Sequence, residues 1–491
     1  MPHLLLLIPT TSYRTRDFLE AAERLGVEVA VGSNQDSVIA AFSHGRTTQI
    51  DFADSDRAVD QIVEFATRFP LAAIIGVDEG TTAIAALASD RLGLPHNRPE
   101  AVAATTNKFR FRQVLTNAGL PQPTVRLFST DEDPPSAARR INSYPVVLKP
   151  VALSGSRGVI RADDTRDFAR AFERIRAILA ETDEATGLRA EPYVLVEDYL
   201  PGGEIALEGL LIGGRLNVLA LFDKPDPMQG PTFEETILVT PSRLPRATRQ
   251  LVCQRTEAAI QALGLTEGPV HAELRLTEAL GPVPLEIAAR SIGGLCSRVL
   301  RFGAGVSLEE VIIQHALGRD LANLERERRP AGVMMLPVPR AGRLQEVRGQ
   351  AEARAVPAIV DLRITIAPGT EVRPLPDGDR YLGFLFAKAD TPDDVEAALR
   401  QAYARLDPRI EATPATPEGA AAMTAKDRKT AARSVNMDTN GWERPSTEEV
   451  NQKLAALHER VDGSVVTDRS AEHRLTEIGI IKRVAGNRHE R

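Results

Sequence analysis

A multidomain chain of mixed class, α/β at its N-terminal end and α+β beyond, is predicted from three observations. The 491 residues exceed one compact core at roughly 100 to 200 residues per domain. Apolar runs alternate with amphipathic stretches over the first hundred or so residues, the pattern of a parallel sheet with helices on both faces. From Asn107 onward, strands punctuated by Gly-rich turns outnumber helices, which is α+β texture.

Taken in order, residues 4–8 read as a buried strand, the polar Thr10-Thr11-Ser12 as a turn, and residues 17–25 as an amphipathic helix that stops at Gly26. Residues 27–31 give a second strand, 58–69 a helix, 71–77 an apolar strand and 82–92 a helix stopped by Gly93. Asp78 and Glu79 follow the strand 71–77, at the end where parallel sheets hold ligands; they either bind a substrate amine or cap the next helix. Residues 108–118 form a longer helix, punctuated by Gly119 and the prolines Pro121 and Pro123. Strands follow at 145–149, 194–199, 205–211, 216–222, 270–276 and 283–287, with helices at 165–181, 246–263 and 307–317. A third region, from about residue 329, offers strands at 332–338, 360–366 and 381–388 and a helix at 393–406. Residues 413–433 are rich in Ala, Thr, Pro and charge and read as a disordered linker. Ser446 and Glu449 beyond it make a capping box for one helix to about Val461. That helix would dock on the body, on a second subunit of a homodimer or on another partner, unless the tail is an inert extension.

Hydrophobic residues at 43% and charged residues at 26% exclude wholesale disorder. A net charge of −7 argues against nucleic acid or an anionic membrane as partner. Cys253 and Cys296, the only cysteines, cannot build a disulfide framework or a Cys-rich zinc site. No apolar run reaches the roughly 20 residues of a membrane span. Together with the short apolar start, which lacks a basic flank and a cleavage site, this predicts a cytoplasmic protein.

Three stretches could carry chemistry. Glu273 in Val270-His-Ala-Glu-Leu-Arg-Leu276 and Glu286 in Pro284-Leu-Glu-Ile-Ala-Ala-Arg290 lie on strands joined at Gly281-Pro282, so a hairpin could aim both carboxylates into one cleft beside Arg290. Hard oxygen ligands next to an arginine suit magnesium and phosphate, although an exposed edge of solvated charges explains the pattern equally. Ser154-Gly-Ser-Arg-Gly158 follows a strand carrying Lys149; its backbone amides could ring anionic oxygens, or it could be a plain turn. In Val194-Leu-Val-Glu-Asp-Tyr-Leu-Pro-Gly-Gly-Glu204 an apolar strand runs into polar backbone able to read an adenine edge, and an acid follows the glycines. His271 shares a strand face with Glu273 and either faces the cleft or packs. Cys296 reads as a small buried hydrophobe, and Lys224, Glu234 and Glu235 as members of a loop that closes over substrate or is merely solvated.

In this order, over residues 1 to about 410, the motifs resemble the ATP-grasp superfamily. The resemblance implies a Rossmann-like pre-ATP-grasp domain at 1–103, a two-lobed ATP-grasp domain at 104–325, a small α+β C-terminal domain at 326–410, and a linker and helical tail at 411–491, partly disordered. It implies ATP as cofactor, with Lys108 and Lys149 as the nucleotide-binding lysines and Ser154, Gly155, Ser156 and Gly158 as the lid over the phosphates. By the same likeness the backbone at Asp198 and Leu200 holds the adenine with Glu197 nearby, and Glu204 binds the ribose. Glu273 and Glu286 fall where the family holds Mg2+ or Mn2+. Arg290, with Lys149 and Gly294, falls where it stabilises the transferred phosphoryl group. His271, Asp78 and Glu79 would face the substrates. Many members carry an asparagine two residues after the second glutamate; here Ala288 stands there, so one metal ligand is missing.

The wording from Glu286 to Gly294, Phe222-Asp-Lys-Pro-Asp226, Phe233-Glu-Glu-Thr236 and Thr240-Pro-Ser-Arg243 is similar to the L-amino acid ligase branch, as is the third region. What this implies is a carboxylate-amine ligase that forms an amide through an acyl phosphate, with small carboxylic acids and amines, amino acids among them, as substrates. A bicarbonate-activating enzyme of the biotin-carboxylase or carbamoyl-phosphate type, and a non-catalytic nucleotide-binding protein, are the alternatives.

Overall fold

The computed structural model describes residues 3–35, 46–186, 191–321 and 323–412. The expected linker at 413–433 and the capping-box helix at 446–461 lie outside the described residues.

Strands β1 (His3–Leu7), β2 (Val29–Ser33), β3 (Thr47–Gln49) and β4 (Leu71–Gly76) form a parallel sheet in the order β3-β2-β1-β4. Alternation along β1 decides what covers each face. Leu4 and Leu6 pack against Phe18, Ala21 and Ala22 of α1 (Thr15–Arg24), whereas Leu5 and Leu7 meet α2 (Ser55–Arg68) and α3 (Glu79–Leu92). Helices α4 (Pro99–Thr106) and α5 (Lys108–Asn117) lead away from it.

A second, antiparallel sheet contains β5 (Val125–Ser129), β6 (Val146–Pro150), β7 (Ile160–Ala162) and β8 (Tyr193–Asp198), in the order β5-β8-β6-β7. Phe168, Phe172 and Ile175 of α7 (Thr165–Thr186) and Ala137 of α6 (Pro134–Ala138) cover one face.

The main sheet takes β9 (Gly203–Ile212), β10 (Arg215–Lys224), β11 (Ile237–Thr240), β12 (Gly268–Thr277) and β13 (Gly281–Ala288), with α8 (Arg246–Leu263) packed on it. Gly213 and Gly214 join β9 to β10, both at positive φ (57° and 78°), the backbone a two-residue hairpin requires. A short ladder of β14 (Arg301–Phe302) and β15 (Val306–Ser307) precedes α9 (Leu308–Ala316).

Beyond it run β16 (Ala331–Leu336), β17 (Gly342–Arg348), α10 (Gln350–Arg354), β18 (Ile359–Ile364), β19 (Glu371–Val372), β20 (Gly383–Lys388), α11 (Pro392–Tyr403) and β21 (Asp407–Glu411). Strands β16, β18 and β20 do not make a separate sheet. They extend the main one to eight strands, β13-β12-β9-β10-β11-β16-β20-β18. Only β19-β17-β21 stands apart. The expected elements recur, most with shifted ends, and β3, β5, β7, β11, β14, β15, β17, β19 and β21 and the helices α4, α6 and α10 are additions. Strand β17 escaped because a register shift between Leu344 and Glu346 breaks its alternation. Among the described residues, no helix is long and apolar enough to cross a membrane.

Candidate active site

Glu273 on β12 lies directly opposite Glu286 on β13, so both carboxylates leave one face of the sheet. The strands turn at residues 278–280; Gly281 and Pro282, expected to be the turn, already pair as strand. Glu286 Oε2 is 3.7 Å from Lys108 Nζ. Lys108 opens α5, whose first turn is capped by the Asn107 side chain accepting from the Phe109 and Arg110 amides. Its ammonium also donates to the Leu153 carbonyl at 2.5 Å, which ties this helix start to the glycine loop.

Lys149 on β6 and Glu197 on the adjacent β8 form a buried pair 2.6 Å apart. Arg112 of α5 grips the same carboxylate from the other side, Nε to Oε1 at 2.7 Å and Nη2 to Oε2 at 3.2 Å. Burial alone would raise the Glu197 carboxyl, but Arg112 and Lys149 outweigh it and bring it down to about 2. Burial in turn lowers the Lys149 ammonium.

Lys108, Lys149, Glu197, Asp198, Leu200 and Glu204 line one slot, with Tyr199, Met228 and Phe233 as its apolar walls. A cavity of about 600 Å³ adjoins it, lined by Ser154, Gly155, Asp78, His271, Arg290 and Gly294. Ser156, Glu235, Glu273 and Glu286 border both spaces. The acidic pair therefore stands at the junction of slot and cavity.

Four expectations need correction. Gly158 does not reach either space: its amide donates to the Pro376 carbonyl at 2.9 Å, and a Cβ there would meet the Pro150 ring at 2.8 Å. The Asp198 amide is taken by the Thr124 carbonyl at 3.0 Å, so it is no donor for a base edge, although the residue lines the slot. Glu79 does not line the cavity; its carboxylate accepts from Arg290 Nε at 2.5 Å, while Asp78 does line it. Lys224 is not in a loop but ends β10, where it pairs in register with Glu204.

There Lys224 is surrounded by carboxylates: Glu204 at 3.2 Å, Glu273 at 3.3 Å, and Glu235 closer still. One oxygen from each of Glu204, Glu235 and Glu273 lies within 4.8 Å of the others. Burial, and then the charge of Glu273, push the Glu235 carboxyl up to about 7. Glu204 is further held by Arg275 at 2.7 Å. His271 sits between Glu208 (3.3 Å) and Glu273 (3.4 Å). Its burial would lower it, but the two carboxylates raise it to about 9. Glu208 is fully buried and accepts from the Ile292 amide at 3.0 Å.

The segment after Arg290 is braced by the loops and the first helix of the N-terminal sheet. Gly294 N–H donates to the Tyr13 hydroxyl at 2.8 Å, Arg14 reaches the Val77 carbonyl at 2.7 Å and the Ser291 hydroxyl, and Arg298 binds Asp17 at 2.8 Å. Arg112, Glu208, Tyr13 and Arg14 had no place in the sequence-derived set. A lone glutamate inside the apolar stretch 205–211 was a signal for Glu208; nothing local marks the others.

Comparison with known proteins follows the same order along the chain. Residues 19–96 match the ATP-grasp N-terminal domain, 142–299 the ATP-grasp domain, and 334–411 the L-amino acid ligase C-terminal domain 2. The crystal structure of an L-amino acid ligase from Bacillus licheniformis superposes with a TM-score of 0.71 at 26% identity, covering 84% of this chain and 99% of that one. Dapdiamide A synthase of Enterobacter agglomerans is 26% identical over 375 residues, 73% of this chain and 85% of that protein. Alanine–anticapsin ligase of Bacillus subtilis is 27% identical over 307 residues, 59% of this chain and 64% of that protein. With these domains in this order around the acidic hairpin, the chain belongs to the ATP-grasp superfamily, in its carboxylate-amine and L-amino acid ligase branch, whose members form carbon–nitrogen bonds at the expense of ATP.

Proposed function

We propose that the chain joins the carboxylate of one amino acid, or a similar small acid, to the amine of another, with ATP and Mg2+ or Mn2+ at the junction of slot and cavity. The observation that carries this reading is the position of Glu273 and Glu286, opposite one another and bordering both spaces. Their carboxylate oxygens are the donors a hard divalent cation prefers. Ala288 offers no donor, so Glu273 and Glu286 would be the holding pair. The cation, when bound, neutralises charge on the nucleotide's phosphates.

In this reading the slot takes the nucleotide. Asp198 and Leu200 border the base, Glu204 accepts from the ribose, and Lys108, Lys149 and the Ser154–Ser156 amides meet the phosphates. Phosphoryl transfer needs mainly positioning and charge cancellation. The substrate carboxylate attacks the γ-phosphorus, the bond to the ADP oxygen breaks, and an acyl phosphate forms. The amine nitrogen of the second substrate then attacks the acyl carbon and phosphate leaves. Arg290, fixed by Glu79, faces the cavity where the phosphoryl group would be transferred, with Gly294 beside it and His271 and Asp78 at the substrates. Lys224 joins this set, since it touches Glu273 and Glu204 together.

The test is ADP release with pooled amino acids, with and without magnesium, and mass spectrometry of the products. Glu286→Ala should lower amino-acid-dependent release by roughly two to three orders of magnitude. Release driven by bicarbonate alone would favour a bicarbonate-activating enzyme, and no release with any acid would favour a nucleotide-binding protein.

A further inference from the structure

The Gly158 amide bond to Pro376 belongs to a larger set of contacts. Residues 373–381 form a loop between β19 and β20, and Arg373, Leu375, Gly378 and Arg380 line the large cavity. The loop is tight: the amides of Asp377 and Gly378 both donate to the Pro374 carbonyl, at 3.2 and 3.0 Å. A Cβ on Gly378 would lie 2.0 Å from the Arg373 carbonyl oxygen, so only glycine fits. From this loop four polar contacts cross to the sheet of β5 to β8 and its helix α7. Gly158 N–H donates to the Pro376 carbonyl at 2.9 Å, and Arg157 Nε to the Asp377 carbonyl at 3.2 Å. Arg174 of α7 donates to the Asp377 carboxylate, and Arg373 to Glu181 at 2.8 Å. The other carboxylate oxygen of Asp377 is buried without a hydrogen-bond partner, so Arg174 is what compensates this acid.

We propose that Asp377 is a positioning residue: with Arg157 and Arg174 it latches the glycine loop to the rim of the substrate cavity and thereby keeps water from the acyl phosphate. The chemistry rests on the ligase reading above; the latch rests on the contacts alone. Residues 154–156 of the glycine loop and the loop 373–381 line the same cavity, so the latch joins two segments of its wall. If it opens, a water oxygen attacks the acyl phosphate in place of the amine. The acid and inorganic phosphate are returned, ATP has already become ADP, and no amide forms.

The experiment compares wild type with Asp377→Ala and Arg174→Ala in the full chain. Arg174 is half-exposed, so its truncation removes the pair by a second route should the Asp377 variant not fold. Hydrogen exchange of the peptide spanning residues 154–160 is measured without substrate, because the Gly158 amide is itself part of the latch. ADP and amide are then counted with an amino-acid pair the wild type joins. Both variants should exchange faster at that peptide, and ADP formed per amide should rise by about twofold or more, with melting temperature little changed in Asp377→Ala, which leaves no unpaired acid behind. The exchanged pair Arg174→Asp with Asp377→Arg should bring the ratio back towards that of the wild type. Unaltered exchange in both variants overturns the latch, and faster exchange with an unaltered ratio overturns its shielding role. A wild type that joins no amino-acid pair would sink the ligase reading, and the exchange comparison would still decide the latch.

Discussion

Arg112, only 1% exposed, commits its guanidinium to Glu197, to Gln122 and to the carbonyls of Pro284 and Leu285. It thus ties α5, β8 and the acidic hairpin together from a position that looks, in the sequence, like one more charged helix residue. Glu197, held at about 2, contributes stability that is fully present above its ordinary value of 4.5 and is lost as pH falls from there towards about 2. Glu197→Gln should leave Arg112 and Lys149 facing each other uncompensated and lower stability by about 3–5 kcal/mol at neutral pH. Urea unfolding at pH 7 and pH 3 checks this, since the gap between wild type and variant should narrow at the lower pH. Lys108, Lys149, Glu273 and Glu286 were legible because each sits in a short motif with its own turn or strand. Lys224 was not, because its partners are 11, 20 and 49 positions away, at Glu235, Glu204 and Glu273.

Element types were legible wherever a period was unbroken. Helix α8 was expected at 246–263 and is found at Arg246–Leu263, because its apolar face, with Val252, Ala259, Ile260 and Leu263 buried, is continuous. Short or bulged strands gave no such signal: β11 has four residues and β17 loses its alternation midway. Strand pairing was beyond reach, since the position of β16 between β11 and β20 depends on contacts far apart in the chain. Gly332 shows how tightly that position is set: a Cβ there would lie 2.6 Å from Val395 Cγ1 on α11 and 2.9 Å from the Leu238 carbonyl oxygen. Gly332→Val should therefore cost about 1–3 kcal/mol or more through overpacking. Thermal unfolding would register it as a lowered midpoint, and an unchanged midpoint would mean that α11 can move off the sheet freely.

Across the whole molecule, the main sheet runs without interruption from the acidic hairpin to β18. The C-terminal strands therefore complete the sheet that carries the site, although the family resemblance implies a separate domain from residue 326. A chain ended after residue 329 would expose the edge of β11 and the apolar Ile237 and Val239 that now pack with Met334, Leu336 and Leu385. It should aggregate, and size-exclusion chromatography would show this; a monodisperse, folded truncation would mean that β16 to β20 are dispensable for the sheet.

Hydrophobic period, turn residues and short motifs are local properties of the chain, and they were enough to order most of the elements and to mark the two glutamates of the hairpin and the motif lysines. Which charges meet could be read only from the folded chain. The Arg290–Glu79 pair joins residues 211 positions apart and the Arg174–Asp377 pair 203. Such contacts are fixed by strand order and by the packing of one sheet over another, which depend on the chain as a whole.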